Sequence, residues 1–160
     1  MFSLLFFALL AAAVMTFTSA FKTSIAQNEA KTSLNTEARL ILEKIAWGPA
    51  PAGEDREGLW RATQVDPIVT PTEIEFTGED GIERTIRQNG NNIEFLTPGN
   101  PTYLIFDAAT IGPVAANRFV DLQFSEEIND VIVVNVVLGK SILGRWHYAS
   151  LSTQVAIRNE

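Results

Sequence analysis

Catalysis and metal binding need reactive side chains brought together, and this 160-residue chain has few: one histidine, His147, and no cysteine. A lone histidine cannot build a two-histidine metal site. In "RWHY" it alternates with Trp146 and Tyr148, which reads as a strand side chain at a surface or interface rather than a general base. The phrase "LGKS" at 138–141 follows a hydrophobic run as a phosphate loop would. That motif also needs a glycine five residues before Gly139, where the chain has Val134, so a hairpin turn is expected instead. There is no G-x-S-x-G nucleophile elbow. The acidic phrase "DLQFSEEIND" offers Asp121, Glu126, Glu127 and Asp130 as calcium candidates, because calcium takes several oxygen ligands from one loop. Their spacing does not match the EF-hand, and acidic loops are usually just solvated. No cofactor and no enzymatic activity are expected.

Composition removes further classes. The net charge of −7 argues against nucleic acid, which demands a basic face. The absence of cysteine rules out disulfides and thiolate metal sites but is compatible with both export and the cytosol. The sequon-like Asn100 is followed by Pro101, which blocks glycosylation.

With so little chemistry to position, the elements themselves become informative. "MFSLLFFALLAAAVMTFTSAF" carries no charged side chain from Met1 to Phe21. Twenty helical residues span about 30 Å, the thickness of a bilayer's hydrocarbon core. Leu4, Leu5, Phe7, Leu10, Ala12 and Val14 spread around the whole circumference, so this segment has no solvent face. Thr18 and Ala20 would suit a signal-peptidase cut, but there is no basic residue before Lys22. Neither proline nor glycine occurs between Phe21 and Trp47, so the helix is expected to continue. Leu34, Ala38, Ile41 and Ile45, preceded by Ala30, draw one apolar stripe along that second half. Gly48-Pro49 then ends it. The expectation is one helix from about Ser3 to Trp47, with residues 1–20 as a transmembrane or filament-core half and 21–47 as an amphipathic half.

Residues 48–58 read as a Pro/Gly-rich linker, and 59–160 as a β-rich globular part forming one domain with 21–47. "TEIEF", "IERTIR" and "NIEFL" alternate with period two, placing Ile74, Phe76, Ile82, Ile86, Ile93 and Phe95 on one face. Glu79-Asp80-Gly81 and Asn89-Gly90-Asn91 supply the hairpin turns of a three-stranded meander. "RFVDLQF" offers Val120, Leu122 and Phe124 to a further strand. "DVIVVNVVL" reads as a central strand covered on both faces, and "RWHYASLSTQVAIR" as the last strand or pair. Trp47 and Trp60 flank the linker and are expected to close the helix end over the sheet. The fold class is α+β: a long N-terminal helix packed on an antiparallel β-sheet, with Leu34, Ile41 and Ile45 against residues such as Ile74, Ile86 and Val134.

The hydrophobic half-helix, the phrase "FSLL" at Phe2 to Leu5, the amphipathic "ARLILEKIAW" from Ala38 to Trp47, and the ending "STQVAIRNE" together resemble type IV pilin-like proteins. The resemblance is to minor pilins and J-type minor pseudopilins of type II secretion. It spans the whole chain in architecture. It implies a structural subunit held in a bacterial inner membrane with a periplasmic domain, then joined to other pilin-like subunits in a periplasmic or extracellular filament. The family's basic leader, glycine cut site and early glutamate are not in this sequence. Met1 falls part-way into the family's helix, so processing and N-terminal methylation are carried over to no residue. Two other readings compete: an exported soluble binding domain with a cleaved signal peptide, and a permanently anchored periplasmic domain.

Overall fold

Nothing between Phe2 and Trp47 breaks a helix, and the structure, a computed structural model, runs α1 unbroken through those 46 residues. At 1.5 Å per residue α1 is about 69 Å long. The structure describes residues 2–49, 57–108, 118–127, 130–142 and 144–157. Gly48 stops the helix: at φ +93° it adopts the left-handed conformation, and its N–H donates to the Lys44 carbonyl at 2.9 Å. A side chain at Gly48 would also collide with the backbone of Glu57, so the chain beyond the linker returns directly under the helix end. A single 3₁₀ turn, Leu59–Arg61, then leads into the strands.

Among the described residues, eight strands form two antiparallel sheets rather than one. The first has the order β1-β2-β3-β4-β5, with β1 Ala62–Val65, β2 Glu73–Gly78, β3 Glu83–Asn89, β4 Asn92–Leu96 and β5 Tyr103–Phe106. The second has the order β6-β7-β8, with β6 Arg118–Glu127, β7 Val131–Ile142 and β8 Arg145–Ala156. The architecture is α+β. A single apolar cluster joins all three layers, taking Leu34, Ala38, Ile41 and Ile45 from α1, Ile74, Phe76, Ile86 and Ile93 from the first sheet, and Val120, Leu122, Val134 and Val136 from the second. Burying faces of both sheets and one stripe of the helix against each other is how three amphipathic layers all leave water.

Gln88 links the two sheets. Its side-chain amide donates to the Val120 carbonyl at 2.9 Å and accepts from the Leu122 N–H at 2.7 Å, so it acts as a piece of backbone for β6. The Phe124 N–H donates to the Pro71 carbonyl at 2.6 Å, which closes more of the same edge. Arg118 ties β6 to the helix through an ion pair with Glu37 at 2.9 Å.

Several expectations need correcting. Ile82 lies outside β3 and is exposed, because the Gly78 N–H to Ile82 carbonyl bond closes the hairpin there. The inward position opposite Phe76 goes to Arg84 instead, which is buried and held by Glu57 and by both oxygens of Asp80, at 2.8 and 2.6 Å. Burial lowers the Arg84 pKa from its ordinary value. β7 is central in its sheet, and its two faces are covered unequally, with Val133 on the outer face 9% exposed. Ile132, Val134, Val136 and Leu138 point to the core, while Asn135 and Val137 on the other face are half-buried. "LGKS" is no turn: Leu138 to Ser141 are inside β7, paired with Trp146 to Ala149. Of the two readings of the final segment, a strand or a pair, the structure has the single strand β8. Trp47 is 41% exposed rather than enclosed, packing on Trp60 with ring centres 4.4 Å apart.

Candidate functional site

The site that the fold leaves unfinished is the N-terminal half of α1. Its sequence has no polar stripe, and from Phe6 to Lys22 every residue is exposed. Phe6, Phe7, Leu9, Leu10, Val14, Met15 and Phe17 all stand free of the domain. The helix from Phe6 is long and apolar enough to cross a membrane, and none of its most apolar stretch is buried. Leu4 and Leu5 lie on the same helix, their side chains outside the described residues. Phe7, Leu10, Ala12 and Val14 point to different sides, as their spacing requires.

The two threonines in this half are satisfied within it. Thr16 Oγ1 donates to the Ala12 carbonyl and Thr18 Oγ1 to the Val14 carbonyl, both at 2.8 Å. A hydroxyl bonded to its own helix costs little to remove from water. Small residues also recur every four positions, at Ala8, Ala12, Thr16, Ala20 and Ser24. Successive members of that series are neighbours on the helix surface, in a row that drifts about 40° per step, and each pair allows another helix to approach closely.

The second half changes character abruptly. Ala30, Leu34, Ala38, Ile41, Leu42 and Ile45 are all buried. Lys44 leans over the Tyr103 ring at 5.6 Å and donates to the Ile105 carbonyl at 3.5 Å, fastening the helix to β5. One continuous helix is thus embedded in the domain at one end and bare at the other.

Two of the calcium candidates, Asp121 and Glu126, do not converge. Asp121 and Glu126 both lie on β6, five residues apart, so they project from opposite faces about 17 Å apart along the strand. Asp121 accepts from Gln123 at 3.2 Å, and Asp130 occupies a turn at φ +57°. The Glu127 side chain lies outside the described residues. A different trio, Asp66, Glu75 and Glu83, brings one carboxylate oxygen from each to within 4.8 Å of the others. Register makes this cluster: Glu83 pairs with Thr77, two residues from Glu75, and the Asp66 N–H donates to the Glu75 carbonyl. No spacing in the sequence announces it. The three carboxylates are exposed and gather negative charge at one spot.

His147 is half-buried on the inward face of β8, paired with Lys140, and its Nε2 is buried without a hydrogen-bond partner. Among the described residues, no side chain bonds to that nitrogen. Glu94 is the carboxylate with a perturbed pKa. Hydrogen bonds from Asn89 at 2.8 Å and from Arg87 at 2.9 Å hold it below the usual carboxylate range. That arrangement braces β3 against β4 on the face away from the core.

Sequence reasoning missed a cluster on the outer face of the second sheet. Phe119 and Tyr148 pair with Gly139 from its two sides, and Trp146 stands beside Tyr148 with ring centres 6.1 Å apart. All three rings are exposed. The signal was the alternation in "RWHY" together with Gly139, but only the register of β6, β7 and β8 assembles it.

Comparison of the chain with protein-family models, curated proteins and solved structures returns no match.

Proposed function

We propose that this chain is a pilin-like structural subunit, anchored in a membrane by the first half of α1 and assembled into a filament through that same surface. The observation that carries the reading is the contrast along one unbroken helix: from Phe6 to Lys22 nothing is covered, and from Ala30 to Ile45 a full stripe is built into the domain. The segment from Phe2 to Phe21 holds ten Leu, Phe and Val residues. At roughly 0.3–0.6 kcal/mol each, their transfer into lipid favours insertion by about 3–6 kcal/mol. Leaving lipid requires an equally apolar replacement, and helices of other subunits supply one. The repeat of small residues from Ala8 to Ser24 suits close helix–helix contact. The globular part hangs outside, where its acidic, solvated surface keeps it soluble.

Bacterial inner-membrane and periplasmic or extracellular filament locations follow from this reading, as do partners of the same pilin-like kind. A cleaved signal peptide needs no rigid continuation into the domain core, so the exported soluble reading fits α1 less well. A permanent anchor shares the helix but not the need for a row of small residues.

The test is the variant Ala12→Asp. A charge is costly both in lipid and in a packed helical core, so this variant leaves the sheared-filament fraction while the domain keeps its fold. Ala12→Asp protein entering sheared filaments at the wild-type level would overturn the filament reading. Membrane-bound wild-type protein that never appears in that fraction would leave the permanent anchor in its place.

A further inference from the structure

We propose that the outer face of the second sheet binds a neutral polysaccharide, with Trp146, Tyr148 and Phe119 as its stacking platform. The inference is independent of how the N-terminal half-helix is used, because the inner face of the same sheet is the one packed in the core.

The geometry of the rings is the starting point. A methyl group at Gly139 would come within 3.0 Å of Tyr148 Cε1 and 3.1 Å of Cδ1, so the tyrosine ring lies down across β7 in the space a side chain would fill. Tyr148 is nevertheless 57% exposed, which leaves one ring face to solvent. Trp146 is tilted only 15° from it and stacks beside it with ring centres 6.1 Å apart. Phe119 flanks Gly139 on the β6 side. An aromatic ring across from a glycine is a common way to cover a gap in a sheet. One ring suffices for that, and this face has three.

The rest of the face identifies the ligand. Away from the rings, register puts Gln123, Asn135, Ser150, Ser152 and Gln154 on the same side, with Val133 and Val137 lying between them. The amides and hydroxyls are neutral donors and acceptors, matched to hydroxyl groups. Asp121 adds one acceptor, and it is the single ionisable side chain among the described residues between Phe119 and Ser125. In a chain of net charge −7, so neutral a face offers nothing to a polyanion or a polycation. Val133 is buried and Val137 half-buried, so the exposed side chains beside the rings are amides and hydroxyls, where a protein hot spot would be expected to offer exposed aliphatic or arginine anchors. A pyranose ring presents an apolar C–H face for stacking and hydroxyls around its rim, so it satisfies both halves of the site.

The experiment is affinity electrophoresis of the full chain in a zwitterionic detergent, since glycoside detergents would themselves compete. Native gels contain a neutral β-glucan, xylan, galactomannan or dextran, with dextran sulfate as the charged control. Retardation by at least one neutral polymer, and none beyond the blank by dextran sulfate, is expected. Trp146→Ala and Tyr148→Ala should each weaken retention about tenfold, and Trp146→Phe should keep most of it. Unchanged circular dichroism in all variants establishes that the fold survives. Absence of retardation by every neutral polymer overturns the proposal, as does retention that persists in the Trp146→Ala/Tyr148→Ala double variant. Self-association abolished by that double variant, with no glycan retention, would assign the patch to a protein interface instead.

Discussion

Arg118 at the start of β6 donates to Glu37 of α1 at 2.9 Å, an ion pair between residues 81 positions apart, with the arginine side chain only 5% exposed. Ser33 adds a hydrogen bond to the same carboxylate oxygen at 3.2 Å, and Arg118 also lies 6.0 Å from the centre of the Phe106 ring. Three elements therefore meet at one buried guanidinium. Removing one partner of a buried pair strands the other charge, which costs more than the intact pair contributes. Arg118→Ala should lower stability by about 3 kcal/mol. Glu37→Leu/Arg118→Met should recover most of that, measured by urea unfolding of the full chain in detergent.

The neighbouring pair Leu40 and Ile41 gives a sharper contrast. Ile41 is 3% exposed and Leu40 51%, though they are adjacent on one helix. Ile41→Ala or Ile45→Ala should cost about 2–5 kcal/mol, the usual range for a core truncation. Leu40→Ala should change stability by less than about 0.5 kcal/mol. Equal losses at Leu40 and Ile41 in the same urea titration would mean the stripe is wrongly drawn.

Much of this fold is legible in the sequence. The helix bounds follow from the absence of Gly and Pro before Gly48, and β2, β3 and β4 follow from alternation and from turns at Gly81 and Gly90. What escaped is set by register and by long-range pairing. β1 and β5 have four residues each and lie at the edges of their sheet, too short to show a period. Division into two sheets depends on β6 pairing with β7 instead of continuing from β5, and the contacts of Gln88 that accompany it reach across more than thirty residues. Ile82 and Arg84 show the limit of a pattern: the apolar residue is outside and the charged one inside, because Glu57 and Asp80 compensate the arginine. The bare half of α1 is the legible part of the candidate site. The aromatic cluster around Gly139 is legible only once three strands are aligned.

Gln88 substitutes for a strand at the outer edge of β6. Gln88→Ala should leave the Leu122 N–H buried without an acceptor, at a cost of about 1–3 kcal/mol. Hydrogen exchange should then accelerate at Leu122 more than at the β7-facing amides of the same strand. Unchanged exchange at Leu122 would show that the amide is not what protects it.

Acid should expose the contribution of Glu94. Its pKa is lowered in the folded protein by Asn89 first and Arg87 second, so the folded state binds that proton less readily than the unfolded chain. The resulting stability is fully present above the ordinary carboxylate value of about 4.3 and disappears as pH falls through the lower folded value. Glu94→Gln should flatten that part of the stability profile. A profile unchanged by the substitution below about pH 4.3 would contradict the assignment.

The central claim is that the first half of α1 is removed from water while the domain is not. The chain has no cysteine, so single-cysteine variants report cleanly. Full-length Val14→Cys and Asn91→Cys proteins, expressed in cells and exposed from the domain side to a charged maleimide, compare a bare helix position with the turn between β3 and β4. The account predicts rapid labelling at residue 91 and none at residue 14 until detergent unfolds the chain. Equal labelling of both positions in intact membranes would contradict it.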